Sequence, residues 1–300
     1  MKRGRRSDAG THFRTVSLTE QLEQFAPASA RTPQGAVQFR RACSPGYTGP
    51  VTHVLLHGIG SASASWLAQL LQVGGAAQPA CQVLAWDAPG YGGSDPLPMP
   101  TPGALDYALQ CWAWLDAVDV DARKPLTLVG HSLGALVAAR AALLAPTRVA
   151  RLVLLAPAQG YANAAAAVRE RKLSDRLASL AQLGPAGMAS KRASAMLSAH
   201  ASAGQLALVE QVMAAIRPQG YTQAAHMLAG GDLSADLLAV GCPVTIASGS
   251  ADTITPSDGC RVLAHQVGSR YVTLGEVGHS CALEAAALVN GLLGIGAAGP

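Results

Sequence analysis

The sequence predicts an α/β fold, in which a mostly parallel central sheet carries helices on both faces and receives a helical insertion. Short apolar runs alternate with longer helix-like segments, which is the pattern of parallel strands joined by right-handed crossovers. The runs are continuously apolar, as expected for strands that are buried on both faces. With 300 residues, 50% of them hydrophobic, the chain is long enough for one large domain or for a domain with a subdomain.

Six apolar runs are predicted to be strands, and four longer segments are predicted to be helices. The strands are 51–56, 81–86, 126–129, 152–155, 244–247 and 271–274. The helices are 103–118, 133–145, 256–266 and 281–293. Together they are expected to form an α/β core that comprises residues 31–158 and 237–300.

Residues 159–236 are expected to form a helical subdomain that is inserted into this core. From about residue 160 to 240 the chain has no convincing strand, but much Ala, Leu, Gln, Met and Arg at helical spacing. Gly184-Pro185 and the stretch 217–220 (RPQG) interrupt the pattern. Three or four helices are therefore predicted there.

Residues 1–30 are expected to be a leader that includes a partly disordered basic tail. Within it, Ser17 and Glu20 have the spacing of a capping box before a short helix. The first 14 residues carry a local charge of +4, equal to that of the whole chain, so the rest is neutral. A neutral body argues against nucleic-acid binding, which needs basic residues collected on a folded face. The charged residues of the tail are Lys2, Arg3, Arg5, Arg6, Asp8 and Arg14.

The sequence predicts neither a membrane span nor a secretory signal. The apolar stretches 132–145 and 285–298 are interrupted by Arg140 and Asn290 and are shorter than the roughly 20 residues that cross a bilayer. No apolar segment follows the basic start, as a signal peptide would require. The six cysteines lie far apart and form no CxxC pair, so reduced thiols and a cytoplasmic location are expected.

Ser132 is the candidate nucleophile because of the turn predicted around it. Gly130, Ser132 and Gly134 form a GxSxG pattern between a predicted strand and a predicted helix, which is the arrangement of a nucleophile elbow. The turn is expected to be sharp and strained, and the two glycines leave room for the strand and the helix to cross. An ordinary helix N-cap is the alternative interpretation of Ser132.

A serine hydroxyl needs a base within hydrogen-bond reach, and that base needs a carboxylate to orient it. Asp252 follows the predicted strand 244–247, and His279 follows the last predicted strand, 271–274. Both residues should lie where loops leave the carboxyl edge of a parallel sheet, which is where α/β folds bind ligands. Asp252 and His279 are therefore the candidate acid and base.

Other residues compete for these two roles. Asp252 could simply form an Asx turn with Thr253. His57 and His131 lie inside the glycine-rich and serine motifs, where they are expected to brace the turn rather than transfer protons. The competing carboxylates are Asp232 and Asp236, and the remaining histidines are His12, His53, His200, His226 and His265.

Five motifs occur in a consistent order between residues ~35 and 295: VLLHGIG (54–60), LAWDAPGYGGSD (84–95), VGHSLGA (129–135), GSADTITP (249–256) and VGHSCALE (277–284). In these motifs the chain resembles the α/β-hydrolase family, in the branch of esterases, enol-lactonases and carbon-carbon hydrolases with a helical cap after the sixth strand. The resemblance implies that Ser132 is the nucleophile, His279 the general base and acid, and Asp252 the residue that orients His279. It also implies that the backbone N–H groups of Ile59 and Leu133 hold the oxyanion.

No metal or organic cofactor is expected. Residues 58–63 (GIGSAS) lack the third glycine of a dinucleotide-binding motif, and neither GxxxxGK[ST] nor HExxH is present. In the family that the chain resembles, the position of Asp87 is structural. Cys281, two residues after His279, is expected to be a small buried side chain rather than a second nucleophile.

The expected activity is hydrolysis of a small, mostly apolar carboxylic ester or lactone through an acyl-enzyme. The alternatives are hydrolysis of a carbon-carbon bond in ring-cleavage products, and binding of a small ligand without catalysis. Similar carbon-carbon hydrolases tend to carry Asn before the nucleophile and Trp after the base, where this chain has His131 and Ser280. The expected partner is a small molecule, with no nucleic acid or membrane, and pairing into a homodimer is left open.

Overall fold

The structure is a computed structural model that describes residues 16–75 and 79–295. The predicted basic tail, residues 1–14, lies outside the described residues. The described chain forms one eight-stranded sheet in the order β1-β2-β4-β3-β5-β6-β7-β8. Its strands are β1 Ala28–Thr32, β2 Gly35–Cys43, β3 His53–Leu56, β4 Gln82–Trp86, β5 Leu126–His131, β6 Val149–Leu155, β7 Val244–Ser248 and β8 Arg270–Thr273.

Helices connect most of these strands. They are α1 Leu18–Leu22, α2 Leu67–Gly75, α3 Ala104–Ala117, α4 Gly134–Leu144, α5 Ala166–Arg192, α6 Ala203–Ala214, α7 Pro218–Gly230, α8 Leu233–Ala239, α9 Ser257–Gln266, α10 Cys281–Glu284 and α11 Ala286–Leu293. In the described part of the chain, no helix is both long and apolar enough to cross a bilayer.

The strands from β3 to β8 run parallel, and their carboxyl ends therefore meet at one edge of the sheet. All four residues of β3 and all six of β5 are buried, because helices cover both faces of the sheet. On one face the core includes Trp86, Trp114 and Leu136, and on the other it includes Trp66 and Leu70. The predicted α/β fold with a mostly parallel sheet is confirmed.

Four helices, α5 to α8, lie between β6 and β7, where three or four were predicted. Gly184 interrupts α5 with a φ of 61° and a ψ of 177°, and Pro185 follows it, so the helix kinks there. Glycine tolerates this left-handed backbone because it has no Cβ. Pro218 is the first residue of α7, a position where a missing N–H costs nothing.

The N-terminal hairpin of β1 and β2 was not predicted, and β1 begins at Ala28, inside the expected leader. The two strands pair antiparallel, and β2 also pairs antiparallel with β4. The capping box at the start of α1 is confirmed. Ser17 Oγ accepts a bond of 3.1 Å from the Glu20 N–H, and Glu20 Oε2 accepts one of 2.8 Å from the Ser17 N–H.

Candidate active site

Ser132 lies in the turn between β5 and α4, at the carboxyl edge of the sheet. Its φ is 51°, a left-handed value that is rare for a residue with a Cβ. Backbone hydrogen bonds hold the turn: the Ser132 N–H donates to the Leu155 carbonyl at 3.0 Å, and the Ser132 carbonyl accepts from Ala135 and Ala158 at 3.1 Å each. A strained residue that its surroundings fix so firmly is typical of a functional site.

Two glycines make this turn sterically feasible. A Cβ at Gly134 would collide with the backbone carbonyl of Leu56 in the neighbouring strand β3. A Cβ at Gly130 would lie 2.7 Å from the Cα of Ala135, which no real Cβ tolerates. The close crossing of β5 and α4 therefore requires glycine on both sides of Ser132, as the GxSxG pattern predicted.

Asp252 and His279 contact each other across the loops that follow β7 and β8. Asp252 follows β7 and His279 follows β8, and both side chains are buried, with 4% and 1% exposed. The distance from His279 Nδ1 to Asp252 Oδ2 is 2.8 Å. Because Asp252 is the acceptor, Nδ1 of His279 carries the hydrogen and Nε2 is left as the basic nitrogen in the neutral ring.

The loop after β7 also holds Asp252 through backbone donors. Its Oδ1 accepts hydrogen bonds from the N–H groups of Ile254 at 2.7 Å and Thr255 at 3.0 Å. Burial acts to raise the pKa of Asp252, but the bonds from His279 and Thr255 outweigh it and hold that pKa below its ordinary value. Asp252 therefore makes the predicted turn, with Ile254 and Thr255 rather than Thr253, and binds His279 as well.

Thr255 is a site residue that the sequence reasoning missed. Its Oγ1 lies 2.9 Å from Asp252 Oδ2, 3.2 Å from His279 Nδ1 and 3.0 Å from the Ala156 carbonyl oxygen. It thus ties the acid and the histidine to the end of β6. Its position three residues after Asp252, in GSADTITP, was the only signal that the sequence offered.

Ser132 and His279 line the same cavity, which has a volume of about 240 Å³. The Ser132 hydroxyl forms no hydrogen bond with a described residue, His279 included. Bonds between a nucleophile and its base are often long before substrate binds and tighten only in the complex. The structure thus places Ser132 and His279 in the lining of one cavity and joins His279 to Asp252 by a hydrogen bond.

The two predicted oxyanion donors also border this region. Ile59 lines the cavity, and Leu133 directly precedes the first turn of α4. Within the described residues, neither backbone N–H donates a hydrogen bond. Free N–H groups at a helix start favour negative charge, because the helix dipole adds to their own polarity.

His57 fixes the loop that carries Ile59. Its Nε2 accepts a hydrogen bond from the Ala88 N–H at 2.9 Å, so Nδ1 carries the hydrogen and donates to the Gly58 carbonyl at 2.8 Å. Burial lowers the pKa of His57, which keeps this ring neutral. The arrangement agrees with the bracing role expected for His57.

Residues 54–292 match the family model described as the alpha/beta hydrolase family. The chain belongs to the alpha/beta hydrolase family. Its structure is similar to the enol-lactonase from Burkholderia xenovorans LB400, with 19% identity, a TM-score of 0.75, and 89% of this chain and 98% of that chain covered. It is also similar to the malate-bound thermophilic esterase from Thermogutta terrifontis, with 20% identity, a TM-score of 0.74, and coverage of 90% and 99%.

A third similar structure is the esterase from Exiguobacterium antarcticum, at 17% identity and a TM-score of 0.74, with 88% of this chain and 98% of that chain covered. At these identities the likeness concerns the fold. It confirms the predicted α/β-hydrolase architecture. Together with the family match, it supports a hydrolase without specifying the substrate.

The competing residues of this α/β hydrolase have other partners. Asp236 forms a bidentate pair with Arg140, at 2.6 and 3.1 Å, between α8 and α4. Asp232 caps α8 by accepting from the Ala235 N–H at 3.1 Å. Asp87 accepts from the Ser63 N–H at 2.7 Å and thereby holds the residues that follow the Ile59 loop. Each of these carboxylates therefore has a structural explanation.

Two other side chains of the predicted motifs lie close to His279. His131 donates from Nε2 to the His279 carbonyl at 2.8 Å, and burial lowers its pKa to about 3. Cys281 is fully buried, and burial raises the pKa of its thiol, which makes it a poor nucleophile. Among the described residues, no group of three or more His, Cys, Asp or Glu side chains could hold a metal ion.

The buried neutral histidines should make the enzyme less stable in acid. Burial lowers the pKa of His53 from 6.5 to about 4 and that of His131 to about 3, so the unfolded chain takes up these protons first as the pH falls. We expect the free energy of unfolding to fall between pH 6.5 and 5 by about 1 to 2 kcal/mol for each of the two. The measurement is urea unfolding at each pH.

The variant His53→Gln is the control for this pH dependence, because it removes one of the histidines whose pKa burial lowers. It should show a smaller loss of stability from pH 6.5 to 5 than the wild type, whatever its absolute stability. The raised pKa of Asp236 makes the free energy of unfolding rise, not fall, as the pH drops toward 5. The lowered pKa of Asp252 reduces the free energy of unfolding only below about pH 3.8. Equal losses in the variant and the wild type would contradict the assignment of His53.

Proposed function

We propose that the chain is a serine hydrolase that cleaves a small, mostly apolar carboxylic ester or lactone through an acyl-enzyme. Ser132 is the nucleophile, His279 the general base and acid, and Asp252 the residue that orients His279. One observation carries the proposal: a strained serine lines the same cavity as a buried histidine whose Nδ1 is bonded to a buried carboxylate. These are the parts that acyl transfer by a serine hydroxyl requires.

In the first half of the reaction, Nε2 of His279 takes the proton from the Ser132 hydroxyl while Oγ bonds to the carbonyl carbon of the substrate. The electron pair of the carbonyl bond moves to oxygen, and the N–H groups of Ile59 and Leu133 stabilise the resulting oxyanion. His279 then gives its proton to the leaving alkoxide oxygen as the carbon-oxygen bond breaks. Asp252 stabilises the imidazolium that exists between these two proton transfers.

In the second half, His279 removes a proton from water, and the hydroxide oxygen attacks the acyl-enzyme. The same oxyanion donors act again, and the proton returns to Ser132 Oγ as the acid departs. No step needs a metal or an organic cofactor. For a lactone the alcohol stays attached to the acyl group, so the product is a single hydroxy acid.

The lining of the cavity supports a mostly apolar substrate. Met188, Met213 and Leu228 from the inserted helices face it, together with Ile254 from the loop after β7. A second cavity of about 40 Å³ shares Ile59 and His279 with the first, and its remaining lining includes Trp66, Leu208 and Val212. The two spaces share Ile59 and His279 as lining residues, which suits a substrate whose acyl and alcohol parts extend in different directions from these groups.

We also propose that residues 159–236 form a cap over a core of residues 31–158 and 237–300. Residues from both parts line the cavity, which supports a cap that excludes water from the reacting groups. The six cysteines are free, in agreement with the proposed cytoplasmic location. Pairing into a homodimer is left open.

A fluorophosphonate probe tests whether the protein is an enzyme or a pure ligand binder. The probe phosphonylates an activated serine, so we expect it to label the wild type stoichiometrically. Because the bond is covalent, the label should remain on the protein after heat denaturation. Labelling should be lost in Ser132→Ala and kept in Ser269→Ala, which removes a hydroxyl that bonds to the Ala264 carbonyl before β8, at the opposite edge of the sheet.

The result that would contradict a serine hydrolase is absence of labelling in the folded wild type. Hydrolysis of carbon-carbon bonds would use the same serine nucleophile, so labelling by the probe does not distinguish it from ester hydrolysis. A second measurement is needed to separate the two reactions. Release of p-nitrophenolate from p-nitrophenyl acetate at a rate that depends on Ser132 supports the ester assignment. Turnover of a ring-cleavage product without turnover of any ester would favour the carbon-carbon alternative.

A further inference from the structure

Two arginines, Arg176 and Arg192, line the same cavity as Ser132 and His279. Both belong to α5, and both are half-buried. Neither forms a hydrogen bond or an ion pair with a described residue. Among the described residues, no Asp or Glu side chain lines this cavity. The wall of this cavity therefore carries two positive charges that no described residue compensates.

The kink in α5 is what brings these two arginines to one cavity. They are separated by 16 residues in the sequence, which in a straight helix is a distance of ~24 Å along the axis. Gly184, midway between them, has the left-handed φ of 61° that bends the helix. The two halves of α5 therefore place one arginine each on the wall of a cavity of about 240 Å³.

The charge of Arg176 also reaches the loop next to the oxyanion donors. Tyr91 is buried beside His57, with ring centroids 5.1 Å apart, and its hydroxyl accepts from the Gly60 N–H at 3.4 Å. Burial raises the pKa of Tyr91, and the positive charge of Arg176 acts against that rise. The pKa of Tyr91 therefore depends in part on the charge of Arg176.

Uncompensated charges of the same sign in a small cavity are costly unless an anion joins them. The guanidinium group stays protonated at all relevant pH values and binds carboxylates through two parallel hydrogen bonds. We propose that Arg176 and Arg192 form an anion subsite, and that the substrate of Ser132 is an ester or lactone that carries a free carboxylate. This inference rests on the proposed function, since it describes the substrate of that same site.

The remainder of the substrate stays apolar in this proposal. The methionine and leucine side chains that line the same cavity suit a short hydrocarbon linker between the ester group and the carboxylate. The subsite would select substrates chiefly through binding, because the carboxylate is charged both before and during the reaction. Its loss should therefore raise KM more than it lowers kcat.

The test compares two esters of the same acid: mono-p-nitrophenyl glutarate, which carries a carboxylate, and its neutral methyl ester. We expect wild-type kcat/KM to be on the order of 10- to 100-fold higher for the charged ester. Arg176→Gln and Arg192→Gln should each remove most of that preference by raising KM for the charged ester. The kcat/KM of each variant for the neutral ester should stay within about threefold of the wild-type value. Arg176→Lys should lose part of it, because a lysine keeps the charge but not the two-fold geometry.

The matched control is Arg171→Gln, on the same helix. The Arg171 side chain is 83% exposed and lies 3.9 Å from Asp175 on the outer surface, so both esters should react with it as with the wild type. Thermal unfolding of each variant shows whether it is folded. Inhibition by free glutarate should also weaken in the two Gln variants and at high ionic strength.

The outcomes separate this inference from the proposed function. If the neutral ester is hydrolysed but the charged one is not preferred, and glutarate does not inhibit, the subsite is wrong while the serine hydrolase stands. If neither ester is hydrolysed but glutarate binds in calorimetry and the Gln variants lose that binding, the subsite stands and the proposed function fails. If Arg171→Gln reduces the preference as much as Arg176→Gln, the effect is a general one of surface charge and the subsite is overturned.

Discussion

Replacing Ser132 with alanine is expected to lower kcat for p-nitrophenyl acetate by on the order of 10⁴-fold or more. Alanine offers no oxygen to form the acyl-enzyme, so any remaining reaction must use water directly, assisted by the oxyanion donors and by binding. The substitution is also structurally conservative, because alanine keeps the Cβ and the backbone bonds to Leu155, Ala135 and Ala158 involve no side-chain atom. The measurement is steady-state turnover of the purified variant, alongside its thermal unfolding.

A second variant, Ser132→Gly, separates catalysis from the strain at this turn. Glycine accepts a φ of 51° without a penalty, so this variant should lose the same activity and yet unfold at a higher temperature than Ser132→Ala. Ser269→Ala controls for the loss of a hydroxyl elsewhere in the protein. Turnover by Ser132→Ala within a factor of ten of the wild type would refute the assignment of the nucleophile.

The sheet could be predicted from the sequence because strands buried on both faces leave a simple signal. All six predicted runs overlap strands from β3 to β8. The hairpin of β1 and β2 left no such signal, because β2 (GAVQFRRAC) mixes buried Val37 and Phe39 with Arg40 and Arg41. It is a strand near the edge of the sheet in which only Val37, Phe39 and Ala42 are buried, so a search for continuous apolar runs passes over it.

Ser132, Asp252 and His279 could be picked out because parallel strands bring their following loops to one edge. Topology thus converts three distant positions into neighbours: Asp252 bonds to His279, and Ser132 lines the same cavity as His279. Arg176 and Arg192 could not be found this way. Which side of a helix faces the cavity depends on how it packs, and the bend at Gly184 changes that direction halfway along α5.

The variant Asp252→Asn is expected to lower kcat by on the order of 10⁴-fold, although it replaces only one carboxylate oxygen with an NH₂ group. The reason lies in the backbone donors around the carboxylate. The N–H groups of Ile254 and Thr255 both donate to Oδ1, so the amide of the new Asn must keep its carbonyl oxygen there. Its NH₂ group then occupies the position of Oδ2, which lies 2.8 Å from His279 Nδ1.

An NH₂ group at that position needs an acceptor, so Nδ1 of His279 must give up its hydrogen. The hydrogen then resides on Nε2, which can no longer accept the proton of Ser132. The fixed geometry of the loop thus selects the inactive tautomer, and the loss should appear in kcat with little change in KM. Thr255→Val should reduce kcat far less, since it removes a hydroxyl but leaves the bond between Asp252 and His279 intact.

Steady-state kinetics of Asp252→Asn, with Asp232→Asn as the matched control, provides the measurement. Asp232 is also a carboxylate that accepts from backbone N–H groups, but its partners are in α8 and at Asn163, away from His279. The control should keep its activity and lose at most the stability of one helix cap, about 1 kcal/mol. Full activity in Asp252→Asn, or loss of activity in Asp232→Asn, would show that Asp252 is not the acid of this site. Only the group that sets the tautomer of His279 can control proton transfer from Ser132.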